Sequence, residues 1–305
     1  MHPAPSVIIF TVLSGLGFGL LAFLGLGFPQ VSGWSAFFYF ALAFALAIAG
    51  LVASTFHLGN PQRALKAFTQ WKTSWLSREA WLSTAALVAM AVFGFCAVFL
   101  GFSPKIFGWL GAALSVATVL ATAMIYTQLK TVPRWNHWIT PVHFLTLSLA
   151  GGAILAQQVP AALLLLVCAG VAQLFAWILG DRRFEERGHS IGSATGLGDK
   201  GAVRLFEPPH TGTNYLMKEM VHVVGRKHAQ KLRLIAFAGM VLLPFAILAL
   251  FPVNVATTGI AILFYMVGTF ASRWLFFAEA EHVVGLYYGV DPSQQHQSGL
   301  SRARS

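Results

Sequence analysis

The sequence predicts an all-α fold, a polytopic integral membrane helix bundle of about eight transmembrane helices. Three observations carry this. Of the 305 residues, 57% are hydrophobic and only 10% are charged, whereas soluble domains carry roughly 25% charged residues. The apolar residues form continuous runs of about 20, enough to cross about 30 Å of hydrocarbon at 1.5 Å per residue. They are not the alternating stretches of about ten that build a membrane barrel. Basic residues gather in the connections on one side of the runs, as membrane topology requires.

The first run, Val7 to Phe28, has no positive segment before it and no persuasive small-residue cleavage site, so a retained span is expected rather than a signal peptide. The second, Trp34 to Phe56, leads into a loop from His57 to Glu79 that carries Arg63, Lys66, Lys72 and Arg78. Then come Ala80 to Gly101, Ile106 to Leu129, Thr140 to Gln157 and Ala161 to Gly180, the fifth run only barely long enough to span. Residues 1–180 thus hold six spans and the loops between them, and residues 181–231 form one sizeable extramembrane segment. Gly188 to Tyr215 is rich in Gly, Ser, Thr and Pro and reads as an ordered or partner-dependent loop. Lys218 to Arg233 pairs apolar with basic residues, which suits an interfacial amphipathic helix. Residues 232–290 hold the last two runs, Leu232 to Phe251 and Val255 to Ala278, and residues 291–305 are a polar tail.

Eighteen of the 20 Lys and Arg fall on one side, with Lys105 on the other and Arg273 inside the last run. The positive-inside rule makes that side, and both termini, cytoplasmic. The net charge of +10 is thereby explained by topology, without nucleic acid. Cys96 and Cys168 lie inside apolar runs, and neither spacing nor context suggests a disulfide, an iron–sulfur cluster or a zinc site. Gly196-Leu197-Gly198-Asp199-Lys200-Gly201 matches a dinucleotide fingerprint, but it sits in a loop between spans instead of a strand–helix unit, so chance explains it.

Two polar stretches flank the loop after the second run. Ser54 to Ala64, containing His57, ends one span, and Ser74-Trp75-Leu76-Ser77-Arg78-Glu79 begins the next. The pattern His57-Leu58-Gly59-x-Pro61-x-Arg63-Ala64, then Leu76-Ser77-x-Glu79, resembles the membrane anchor subunit family of dimethyl sulfoxide reductases. Thr131-Val132-Pro133-x-Trp135, Trp138-x-Thr140-Pro141 and Gly151-Gly152 continue the match in order, and Gly268, Arg273 and Phe276 to His282 are consistent with it. The long loop, the opening Met-His-Pro-Ala-x-Ser-Val and the stretch from Glu207 to Tyr215 resemble the branch of cytoplasm-facing sulfite dehydrogenase anchors.

The resemblance implies a subunit that is not the site of substrate chemistry. It docks an iron–sulfur (ferredoxin-like) subunit, which docks a molybdopterin catalytic subunit, and it exchanges electrons with quinone, either ubiquinone or menaquinone. The clusters and the molybdopterin belong to the partners. His57 and Glu79 then bear on quinone binding. Quinone chemistry moves two protons with two electrons, so the head group needs proton donors and acceptors beside an apolar tail channel. Helix lengths place His57, Glu79, Tyr126, His143 and Arg273 at one depth near the same boundary, and His and Glu are suited to relaying protons. Arg63 joins this set through the motif, although a topology-setting charge explains it as well. Tyr126, Trp135 and Trp138 also suit interfacial aromatics, His143 a packed core histidine, and Arg273 a snorkelling side chain or a partner of Glu279.

No haem is expected, because His57, His143 and His282 offer no pair deep in the bundle for two axial ligands. A complex in the bacterial inner membrane with a cytoplasmic docking face is therefore expected, most closely a sulfite dehydrogenase. The alternatives are the anchor of a dimethyl sulfoxide reductase-type respiratory complex, or a small-solute transporter. The transporter calls for charges at mid-membrane, and the run centres are almost devoid of them.

Overall fold

The computed structural model describes residues 1–56, 58–207, 211–212, 214–220 and 228–289. Among them there is no strand. The eight runs become eight helices: α1 (Pro5–Gly25), α2 (Gly33–Thr55), α3 (Trp75–Leu100), α4 (Lys105–Thr127), α5 (Ile139–Leu155), α6 (Val159–Glu186), α7 (Ala229–Leu250) and α8 (Val255–Ala278). Seven are long and apolar enough to cross a membrane, and α5, with 17 residues, falls just short. Side chains such as Trp34, Phe38, Phe99, Ile106, Leu164 and Leu250 are exposed on the bundle's outside. Hydrocarbon is the solvent in which such a surface is stable.

The helix α1 is apolar on all sides and therefore central; α2, α4, α5 and α8 pack around it. Small residues let the backbones approach, as in other membrane bundles. A Cβ on Gly152 of α5 would meet the backbone of Gly19 in α1, and one on Gly239 of α7 would lie 2.9 Å from Gly268 Cα in α8. The helix α7 contains a π turn at Ala238–Leu242, just before Pro244. Proline has no N–H for the carbonyl four residues back, and the wider turn takes up that mismatch.

One end of the bundle gathers the N-terminus, the connections 58–74 and 128–138, the described parts of the long loop and the described segment after α8. The Met1 amine donates to Ala280 O at 2.7 Å, Val283 N to Thr131 O at 3.0 Å, and Arg187 Nη2 to Asn136 Oδ1 at 2.7 Å. This is the loop face. The Gly196–Gly201 match lies there after a short helix, Ile191–Thr195, and itself contains a 3₁₀ turn, Gly198–Lys200, so the strand that the fingerprint needs is missing. Residues 221–227, inside the expected interfacial helix, and the tail from 291 lie outside the described residues.

Candidate functional site

Glu79, Tyr126, His143 and Arg273 meet near the loop-face ends of α3, α4, α5 and α8. None is more than five residues from its helix end, which is roughly 8 Å. All are buried: His143 and Arg273 are 2% exposed, Glu79 4% and Tyr126 8%.

Phe144 is the hub. The Arg273 guanidinium lies 3.5 Å over its ring, and the Tyr126 ring centre is 5.6 Å away. Tyr126 also packs on Trp135, Phe276 and Phe277 with centroids at 5.3–5.6 Å. A desolvated cation over an aromatic face gains about 2 kcal/mol, which offsets part of the cost of holding a guanidinium in hydrocarbon. Arg273 does not snorkel, and it does not pair with Glu279. Its Nε and Nη1 have no hydrogen-bond partner among the described residues, while the Glu279 oxygens accept from Arg134 Nη1 at 3.3 Å and Arg233 Nε at 2.8 Å.

The other two polar groups are held by residues the motifs did not flag. Glu79 is hydrogen-bonded to the Thr122 hydroxyl of α4. His143 Nε2 lies 2.9 Å from Gln173 Oε1 on α6, and Ser272 Oγ donates to that same oxygen at 2.5 Å. An amide oxygen only accepts, so His143 carries a proton on Nε2. Gln173 had a sequence signal, being a lone amide in the sixth apolar run. Thr122, 43 residues from Glu79, had none.

Arg134 and Arg233, counted in the sequence as topology charges, are also structural. Asp181 of α6 accepts from Arg134 and from both Arg233 terminal nitrogens, at 2.8 and 2.6 Å for the latter. With Glu279 they form a four-charge cluster above His143. Trp135 is core rather than interfacial: it is 2% exposed, stacks on Phe276 and donates its indole N–H to Phe276 O at 2.9 Å. Trp138 is exposed.

Arg63 stands apart. It is exposed on the 3₁₀ helix Pro61–Phe68, and no hydrogen bond or ion pair among the described residues ties it to the cluster. His57 lies outside the described residues. Beside this helix, Trp71, Trp75, Arg78, Trp81 and Leu82 line an open cleft of about 610 Å³. The Arg78 guanidinium lies 4.4 Å over Trp75 and donates to the carbonyls of Trp71 and Lys72. Among the described residues no three His, Cys, Asp or Glu gather into a metal-ligand set.

The family described as DMSO reductase anchor subunit (DmsC) matches residues 1–289. A sulfite dehydrogenase subunit of Allochromatium vinosum is 29% identical, over 94% of this chain and 99% of that protein. No solved structure matches.

Proposed function

Because the chain belongs to the DMSO reductase anchor subunit family, we propose that it passes electrons between the quinone pool and an iron–sulfur partner subunit. That partner feeds a molybdopterin subunit, and this chain tethers both to the bacterial inner membrane. The observation that carries the reading is the loop-face cluster: a carboxyl, an imidazole, a phenol and a guanidinium share one depth within an aromatic box, in a bundle otherwise packed with apolar side chains. Quinone reduction takes up two electrons and two protons, and quinol oxidation returns them. Glu79 and His143 supply proton-exchanging groups, joined by His57 of the matched motif, with Tyr126 and Arg273 as hydrogen-bond donors and Arg63 on the approach. The aromatic cleft at the start of α3 has the volume of a small-molecule site.

The likeness to the Allochromatium sulfite dehydrogenase chain favours a partner that oxidises sulfite, with the basic loop face cytoplasmic by the positive-inside rule. The other respiratory reading, a DMSO reductase-type complex, rests on the family description. Co-purification from mild detergent followed by quinone titration of tryptophan fluorescence tests the proposal. Saturable quenching, with His57→Ala and Glu79→Gln losing quinone-linked turnover in an intact complex, supports it. Full turnover in both variants refutes the site. Deleting residues 189–214 is expected to release the partner subunits, and a stable complex after deletion refutes docking by the loop.

A further inference from the structure

Two small cavities lie in line beneath the loop face. The outer one, lined by Arg134, Glu279, His143, Gln173, Ser272 and Trp177 among others, has about 30 Å³ of space for the centre of a water-sized sphere. The inner one has about 20 Å³ and is bounded by Arg273, Phe144, Tyr265 and several hydroxyls. Ser272 and His143 line the outer cavity while their chain neighbours Arg273 and Phe144 line the inner one, so the two are adjacent. A water needs about 10–15 Å³ by this measure and two to four polar partners.

The donors and acceptors around the inner cavity match water. Its hydroxyls already donate to protein: Thr11 to Ile8 O, Ser14 to Phe10 O, Ser148 to Gly15 O, Thr269 to Tyr265 O and Tyr265 to Leu147 O. What they offer inward is oxygen lone pairs. Arg273 offers its Nε and Nη1 hydrogens, which have no partner among the described residues. An anion would face those lone pairs, and an apolar guest would leave the guanidinium unpaired at a cost of about 1–3 kcal/mol or more. Water accepts from Arg273 and donates to the hydroxyl oxygens, so it alone satisfies both.

We propose that the two cavities are water-filled and form a proton inlet, open at the Arg134–Glu279 ion pairs and ending at Tyr265. Its role, though not its hydration, rests on the quinone reading. Tyr265 lies 13 residues from the α8 end, roughly 20 Å deep. Beyond it the buried side chains are overwhelmingly apolar, including Leu20, Leu21, Leu24, Ile154, Leu166 and Ala261. The buried charged residues, Glu79, Arg273 and Glu279, all lie in the loop-face half. The inlet is therefore a half-channel, and quinone protons exchange with the loop face only. The Arg273 cation disfavours free hydronium in the inner cavity, so Glu79, hydrogen-bonded to cavity-lining Thr122, holds the proton on the loop-face side of that cavity.

Hydroxyl-radical footprinting of the detergent-solubilised chain by X-ray pulses reads internal water directly. Tyr265 and Phe144 should be oxidised several-fold faster than the comparably buried Phe18 and Phe40. Gln173→Leu, with Ser272→Ala as the milder variant, should lower Phe276 labelling. In the complex either variant should raise the solvent deuterium effect on turnover. Labelling of Tyr265 and Phe144 at the Phe18 rate overturns the inlet. A flat quinone titration refutes the quinone reading instead, and the labelling still decides the inlet.

Discussion

Replacing Glu279 by glutamine removes one of four charges that tie the end of α8 to α6, α7 and the connection before α5. Glu279 is 7% exposed and accepts from Arg233 Nε at 2.8 Å and Arg134 Nη1 at 3.3 Å. A charge-assisted bond contributes about 1.5–3 kcal/mol. The 3.3 Å contact exceeds the favourable range and counts for about 1 kcal/mol at most. Glutamine keeps an oxygen acceptor and recovers about 1 kcal/mol. Asp181 is 36% exposed, so water and this carboxylate still screen the two guanidiniums. The net loss is roughly 1.5–3 kcal/mol, at or below the 3–5 typical of a fully buried broken pair. At about 2–4 °C per kcal/mol, melting in detergent should fall by roughly 3–12 °C, read by tryptophan fluorescence at fixed scan rate. Arg233→Met combined with Glu279→Gln should cost less than the sum of the two, because both cut the same bond. Melting within about 1 °C of wild type, or strict additivity of the double variant, would refute the cluster as a stability element.

Gly152→Ala should destabilise by about 1–3 kcal/mol, because its Cβ meets the Gly19 backbone and α1 must shift; a wild-type melting temperature counts against that packing. Trp135→Phe should cost about 1 kcal/mol through the lost bond to Phe276 O, again read by melting, with no loss if the indole N–H contributes nothing. His282 has its pKa pushed down by burial and then by the nearby N-terminal amine, and its Nδ1 accepts from Val284 N at 3.0 Å. The unfolded chain therefore takes up the proton first, and this contribution is full above pH of about 6.5 and declines as pH falls below it. His282→Asn, which keeps an acceptor and cannot titrate, should flatten that part of the melting-against-pH curve; an unchanged curve removes His282 as its source.

Composition and run length by themselves determined the class, the helix number and the helix order, because hydrocarbon leaves the backbone almost no other choice. The charge asymmetry likewise determined which connections share a face: Arg134, Arg187 and Glu279 do meet there. The common depth of Glu79, Tyr126, His143 and Arg273 followed from counting residues along rigid helices. Which side chains touch was decided only in the tertiary structure, since rotation of one helix against another leaves no mark on spacing. Thr122 finding Glu79, Gln173 joining His143 to Ser272, and Arg273 settling on Phe144 while Glu279 goes to Arg134 and Arg233 all depend on that rotation. It is fixed by close contacts such as Gly152 on Gly19, because α1 meets α5 at a single azimuth where no Cβ intervenes.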